Sequence, residues 1–338
     1  MEHAPSISVL LGVHERANRG LLDASLESLR AQTLPRPRWE ALVLTDFEDA
    51  GLRATCRELG FEYVRSSSPH LGGKVLDGIR SSRGSVLTLL DYDDRYAPSR
   101  LAALEEAFHA DPDLGLWHDG VECIDGEGRP TNEGLPPVFR MMTFSRMLAT
   151  VPDRRKALTS PRLGFSRPDF HGLAFRREVA DLCVPYLPRI EQAVDSLVFN
   201  AGWIAPYSVR VDPRHLYEYR MHSSNISLRP EGEGIQGTRS PRAGYHAQLL
   251  RDYAVILEMI SHSDRIELLR DFRLRLFSDQ LIEALRVPST DRSAVWKALG
   301  DLPSHLHRTN ASPLLLYTFA YALMGMLSPR LAGSLAGN

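Results

Sequence analysis

Gly84-Ser85-Val86-Leu87-Thr88-Leu89-Leu90-Asp91-Tyr92-Asp93-Asp94-Arg95-Tyr96 is the stretch on which the fold turns. Val86 to Leu90 has the length and the β-branched and leucine content of a strand buried on both faces, and it runs straight into three carboxylates. In an open α/β sheet, ligands bind in the crevice outside the carboxyl ends of the strands, so acids delivered there are placed for chemistry. Asp91 and Asp93 are two apart and point the same way if the chain stays extended. One or two such carboxylates are what Mg²⁺ takes when it also grips phosphate oxygens. The same residues equally fit a solvated turn, because Asp is common after a strand and Pro98-Ser99 looks like a helix start.

Outward from this stretch the pattern alternates. Ile7 to Val13 is a near-continuous apolar run with the look of a central parallel strand, and Leu22, Leu26 and Leu29 follow at helical spacing until Pro35 and Pro37 stop it. Ala41 to Leu44 leads into Thr45-Asp46-Phe47-Glu48-Asp49, a helical pattern runs to Leu59, and Phe61 to Val64 is a short third strand. Such β-α-β alternation implies a parallel, doubly wound sheet whose right-handed crossovers put the strand ends on one edge, with Asp46 and Asp91 in the same crevice. A Ser- and Gly-rich loop from Arg65 to Gly73 precedes a helix carrying Val75, Leu76 and Ile79, which stops at Gly84.

Past the acidic stretch, a helix is expected from Pro98 to about Ala110, a strand at Leu114 to Trp117 followed by His118-Asp119, and a hairpin turn at Asp125-Gly126. Residues 130–165 are irregular, with a short helix expected around Phe144 to Leu148, and read as a lid or binding loop. A strand over Phe170 to Phe175 and a helix over Arg176 to Cys183 come next. Helical spacing over Ile190 to Phe199 sets Glu191 and Asp195 four apart on one face. Val209 to Val211 and Leu216 to Met221 are expected as short strands. Residues 228–244 read as a linker, and the rest as helical. Leu314 to Leu327 is apolar nearly all round, but its 14 residues fall short of the roughly 20 that span a bilayer. The boundaries that follow are 1–228 for a catalytic domain and 229–338 for a linker and helical appendage.

The 338 residues suffice for a large core, and 43% apolar with 24% charged residues is ordinary for a soluble protein. A formal charge of −2 gives no reason to expect nucleic acid as a partner. Cys56, Cys123 and Cys183 are far apart and odd in number, which suggests neither a disulfide framework nor a zinc knuckle. Met1 to Ser6 lacks the basic and then apolar segment of a signal peptide, so a cytoplasmic location is expected.

Taken in order, segments from Ser6 to Ser227 resemble the GT-A glycosyltransferases of family 2. Ser8-Val9-Leu10-Leu11-Gly12-Val13-His14-Glu15-Arg16 is similar to the family's first strand and nucleotide-contacting turn, and Ser25 to Pro35 to the helix after it. Leu42-Val43-Leu44-Thr45-Asp46 corresponds to the strand ending in the aspartate that contacts the base. Leu71-Gly72-Gly73-Lys74-Val75-Leu76-Asp77-Gly78-Ile79, then Arg83-Gly84-Ser85 and Leu90-Asp91-Tyr92-Asp93-Asp94, match the path into the DXD metal motif. Tyr219-Arg220-Met221-His222-Ser223-Ser224-Asn225-Ile226-Ser227 resembles the segment that closes over the donor diphosphate. The chain departs from the pattern at Gly12, where Pro is common, at Glu15, where Asn is, and at Phe47, where a second aspartate is usual.

The resemblance implies an α/β fold of the GT-A type, Rossmann-like with a mostly parallel sheet flanked by helices, and an α-helical C-terminal region. It implies transfer of a sugar from a nucleoside-diphosphate sugar to an acceptor hydroxyl, with inversion and with Mn²⁺ or Mg²⁺, in the synthesis of a glycan, polysaccharide or glycoconjugate. Asp93, Asp94 and His222 would hold the metal. Val13, His14, Glu15, Arg16, Asp46, Gly73, Lys74, Asp77, Asp91, Tyr92 and Arg220 would bind the nucleotide sugar. Asp195 would be the general base, with Glu191 as fallback. Trp117, His118, Asp119 and His171 could line the acceptor side, as could Phe170 and Trp203. The C-terminal helices admit a peripheral membrane or homo-oligomer contact. Two other readings compete: a sugar nucleotidyltransferase, which usually carries more glycine after the first strand, and a catalytically inactive GT-A-like protein that binds a glycan or acts as a scaffold.

Overall fold

The computed structural model of the chain describes residues 5–131, 146–148, 171–222 and 245–263. Strands β1 (Ile7–Gly12), β2 (Trp39–Thr45), β3 (Glu62–Arg65) and β4 (Val86–Asp91) alternate with helices α1 (Arg19–Arg30), α2 (Ala50–Leu59) and α3 (Leu71–Ser81). Then come β5 (Arg95–Tyr96), α4 (Arg100–Ala110), β6 (Leu114–Ile124), β7 (Arg146–Leu148), β8 (Leu173–Arg176), α5 (Arg177–Cys183), α6 (Val194–Ile204), β9 (Ser208–Arg220) and α7 (Tyr245–Ser261). One mixed sheet has the order β3-β2-β1-β4-β8-β6-β9-β5, with β7 on β9.

Strands β1 to β4 are mutually parallel, β8 is antiparallel to both β4 and β6, and β6 is parallel to β9. The carboxyl ends of β1, β2, β3, β4, β6 and β9 therefore share one edge, and the chain enters β8 from that edge. Side chains alternate along β1: Ile7, Val9 and Leu11 pack under α1, α2 and α4, and Leu10 packs on the opposite face with α3, α5, α6 and α7. The helices start and stop on local signals. Asn18 and Asp49 cap α1 and α2 by accepting backbone N–H bonds, and Gly60 at φ 69° ends α2 in the left-handed region where glycine is unstrained.

Several sequence expectations are corrected. Arg146–Leu148 is a strand, not a helix: it pairs antiparallel with Val209 to Val211, and this open edge satisfies backbone groups that a one-turn helix would leave to water. The two short strands after residue 208 are one 13-residue strand. Its ladder skips from His118↔Val211 to Gly120↔His215, a bulge that takes up Pro213. The strand at Leu114 continues to Ile124, and Asp125 then accepts the Gly128 N–H in the expected turn.

The helix expected over 190–199 starts only at Val194, so Glu191 and Asp195 do not share a helix face. Of the C-terminal region, α7 is described, and its Val255, Ile256, Met259 and Ile260 belong to the same buried cluster as α5 and α6. No helix among the described residues is long and apolar enough to cross a membrane. Most of the lid-like segment, the linker, Phe170 and Leu314 to Leu327 lie outside the described residues.

Candidate active site

The acidic stretch does not stay extended. The Asp94 N–H bonds back to the Asp91 carbonyl at 3.2 Å, closing a turn that separates Asp93 from Asp91 and folds Asp94 inward. Two residues of β9 fix that turn. The Tyr217 hydroxyl donates to Asp94 Oδ2 at 2.7 Å and accepts from the Asp91 N–H at 3.4 Å, and the Arg220 N–H donates to Asp94 Oδ1 at 2.8 Å. Asp94 is 1% exposed. Burial, and then the charge of Asp93, hold its carboxyl well above the usual range.

Beyond β9, His222 Nε2 lies 2.9 Å from Asp93 Oδ2. His171 enters from the other side. Gly172, at φ 83°, adopts a backbone conformation that side-chain-bearing residues rarely reach, and it sets His171 just ahead of β8. There His171 Nδ1 is 3.2 Å from Asp91 Oδ2 and 3.7 Å from Asp94 Oδ2, and its ring stacks on Tyr219 at 4.7 Å and Tyr217 at 5.5 Å. Burial opposes a charge on this imidazole. The hydrogen bond to Asp91 and the charges of Asp94, Asp91 and Asp195 outweigh it and push the ring up to about 10. Asp195, in the first turn of α6, is thus within electrostatic reach of His171.

These residues offer two groupings that could hold a divalent ion. Asp91, Asp94 and His171 present ligand atoms within 4.8 Å of one another. Both Asp94 oxygens already accept protein hydrogen bonds, however, and the group is closed on itself by the His171 contacts. Asp93 and His222 fit better: one carboxylate oxygen faces one imidazole nitrogen, and both side chains keep some access to solvent.

The nucleotide-side residues also gather at the carboxyl edge. The buried Lys74 ammonium donates to the Val13 carbonyl at 3.1 Å and pairs with Asp46, which ties the ends of β1 and β2 to α3. Asp77 accepts from Ser66 Oγ at 2.7 Å just past β3. A Cβ on Gly73 would come within 2.2 Å of Ser68 Oγ, so glycine lets α3 begin against that loop. His14 meets the edge of Tyr92 at 4.8 Å, and Glu15 and Arg16 are exposed beside it.

Other candidates are engaged in the fold. The Arg220 guanidinium donates to the Asp93 carbonyl at 2.8 Å and the Gly126 carbonyl at 3.0 Å, so it braces the acidic turn against the turn after β6. Glu191, the fallback base of the sequence reading, is bonded to Arg251 at 2.7 Å and lies ahead of α6 rather than on it. Trp117, His118 and Asp119 are buried because β6 is a central strand covered on both faces, and Trp203 is buried as well. Asp119 forms a fully buried ion pair with Arg100 at 2.6 Å, whose guanidinium also donates to Thr88 and lies 4.0 Å over the Tyr96 ring.

His118 has both ring nitrogens buried without a hydrogen-bond partner, and burial, then the Arg100 and His171 charges, push it down to about 3. Its folded pKa lies below the usual unfolded value of about 6.5. Between these values the unfolded chain binds a proton that the folded chain refuses, so this residue makes stability rise with pH and fall as pH drops below 6.5. Urea unfolding at pH 7.5 and 5.0 should show a change about 2 kcal/mol smaller in His118→Gln than in the wild type. Equal changes in the two proteins would mean that His118 is not held neutral.

Tyr217 and His171's pairing with the acids escaped the sequence reading. Tyr217 lies 123 residues from its Asp94 partner, and nothing local marks it.

Comparison with known proteins adds the following. A family model described as Glycosyl transferase family 2 matches residues 8–172. An uncharacterized glycosyltransferase, alr2836, of Nostoc sp. is 24% identical over 209 residues, covering 60% of this chain and 60% of its own length. The chain thus spans less than two thirds of that relative. Among solved structures, Staphylococcus aureus TarS 1–349 in complex with UDP-GlcNAc aligns with a TM-score of 0.61 at 16% identity, covering 97% of this chain and 90% of that one. The mannosyltransferase PcManGT from Pyrobaculum calidifontis, in complex with GDP-Man and Mn²⁺, aligns with a TM-score of 0.52 at 16% identity, covering 99% and 87%. At these identities the structural likeness is one of fold.

Proposed function

Residues 8–172 belong to glycosyl transferase family 2, and on that premise we propose that the chain transfers a sugar from a nucleoside-diphosphate sugar to an acceptor hydroxyl, with inversion and with help from a divalent cation. The observation that carries this reading is the meeting of the acidic turn after β4 with His222, just past β9, on the carboxyl edge that also bears Asp46 and Lys74.

In this reading the nucleotide lies over the ends of β1 and β2, against Val13, His14, Asp46 and Lys74, and the sugar lies toward Asp91. Asp93 and His222 would hold Mn²⁺ or Mg²⁺; a mixed oxygen and nitrogen donor pair favours Mn²⁺, the ion in the Pyrobaculum calidifontis mannosyltransferase complex. The ion, when bound, supplies positive charge to the departing diphosphate. Asp195 accepts the proton of the acceptor hydroxyl on the face opposite the leaving group, so the anomeric configuration inverts without a covalent intermediate. Tyr217 and the Arg220 N–H keep the acidic turn in shape, and His171 orients Asp91.

A thermal-shift screen of UDP, GDP, CDP and ADP with and without Mn²⁺ tests this. A nucleotide present at 100 times its Kd stabilises by about 2.7 kcal/mol. The expected result is that one nucleotide raises Tm only with the ion. A metal-independent response, or none, would favour a binding protein without turnover.

A further inference from the structure

Three backbone N–H groups in a row, those of Glu191, Gln192 and Ala193, donate to one carboxylate, and it comes from α7: Asp252 Oδ1 accepts the first at 2.7 Å, and Oδ2 accepts the others at 2.8 and 2.9 Å. Successive N–H groups arranged this way form an anion-binding concavity, here filled by the protein's own side chain. Asp252 is fully buried. The three residues lead directly into α6, whose cap residue Ala193 supplies no side-chain acceptor of its own, and Asp195 stands in the first turn of that helix.

The same segment reaches the donor side. The Glu191 and Ile190 carbonyls accept the N–H groups of Leu71 and Gly72, the first residues of α3, which lacks a side-chain cap at His70. The approach is close: a Cβ on Gly72 would lie 2.2 Å from the Leu187 carbonyl and 2.5 Å from that of Ile190. One turn into α3 stands Lys74, bonded to Asp46. Ion pairs on the rim, Arg251 with Glu191 and Arg189 with Glu258, run between the same pieces of chain.

We propose that Asp252, outside the segment that the family model matches, is a positioning residue for Asp195: it fixes the three residues before α6, and so sets where the base stands relative to the donor held by α3. The proposal rests on reading Asp195 as the general base. Asp252 does not touch substrate. Its carboxylate satisfies the three N–H groups of the turn ahead of α6 from a separate helix, so α7 is part of the catalytic unit.

Asp252→Asn tests it in the full chain. The substitution keeps the volume, but it removes the charge and replaces one acceptor oxygen with an NH₂ group facing N–H donors. Nucleotide release from UDP-sugars and GDP-sugars with Mn²⁺ is expected to show kcat lowered on the order of 10- to 100-fold, the loss typical of a reacting group displaced by about an ångström. KM for the donor and the Tm rise given by UDP and Mn²⁺ should stay within twofold of the wild type. Arg189→Ala, which cuts only an exposed pair between the same elements, should leave kcat unchanged.

Hydrogen exchange supplies a readout independent of turnover. In Asp252→Asn, protection is expected to fall over residues 191–198 and to hold in β1 and β4. A kcat equal to the wild type's, or a fall in kcat matched by loss of the UDP response, would overturn the proposal. So would unchanged protection over residues 191–198, whatever the wild type turns over. If the wild type turns over no donor and ignores every nucleotide, the transferase reading fails, and local loss of protection still assigns Asp252 its hold on the Asp195 turn.

Discussion

Asp195→Asn is expected to lower kcat for sugar transfer on the order of 10² to 10⁴-fold, the contribution of a positioned general base, while leaving donor binding intact. That range corresponds to about 3 to 5 kcal/mol of transition-state stabilisation. The asparagine has nearly the same shape, so α6 and the core packing of its Leu197, Phe199 and Trp203 survive, and the acidic turn is untouched. KM for the donor and the metal-dependent response to nucleotide should therefore match the wild type. Single-turnover kinetics with a panel of nucleotide sugars checks this. A variant that keeps more than a tenth of the wild-type rate would send the role of base elsewhere, with Glu191, which is paired with Arg251, the next carboxylate to substitute.

The second large effect belongs to Asp93. Asp93→Ala should lose the metal-dependent part of nucleotide binding altogether and lower kcat/KM by about 10³-fold or more, because the negative charge that builds on the diphosphate is then met by no fixed counter-ion. Asp94→Asn is the informative contrast. Its two oxygens serve Tyr217 and the Arg220 N–H, so the change disturbs the turn's shape and should cost Tm before it costs metal affinity. Titrating Mn²⁺ by isothermal calorimetry in both variants separates them. Were Asp94→Asn to lose the ion and Asp93→Ala to keep it, the group of Asp91, Asp94 and His171 would be the metal centre instead.

The first half of the fold was legible because its signals are local. Each β-α unit from Ile7 to Leu90 carries its own apolar period and its own breakers, and parallel strands oblige their ends to meet on one edge. Asp46 and Asp91 could therefore be placed together across 45 residues of chain. Contacts that join distant segments left no such trace. An extended Asp91-Tyr92-Asp93 was the natural reading of the residues alone, and it is Tyr217 and Arg220, arriving from β9, that fold Asp94 inward.

Trp117, His118 and Asp119 looked like site residues because they carry polar and aromatic chemistry beside a strand end. Alternation along a strand exposes one face only where that face is uncovered, and β6 is covered on both. Asp252 did leave a signal: it sits on the apolar stripe of α7 between Leu249 and Ile256, where an acid is out of place unless something buried needs it. That mark was there to be weighed, but the partner it serves, a turn some 60 residues earlier, is named only by the folded chain.

The position of β9 has a consequence for how the molecule comes into being. Among the described strands it is the last to leave the ribosome, yet it lies inside the sheet between β6 and β5. Until about residue 220 has been made, the nascent chain carries β6 with one unpaired edge and an acidic turn with nothing to hold its shape. Strand pairings of long sequence separation form slowly, and an open edge invites pairing with other chains. Synthesis thus delivers the scaffold first and the finishing strand late. The interval between them is when the newborn protein is most exposed to aggregation and has most use for a chaperone.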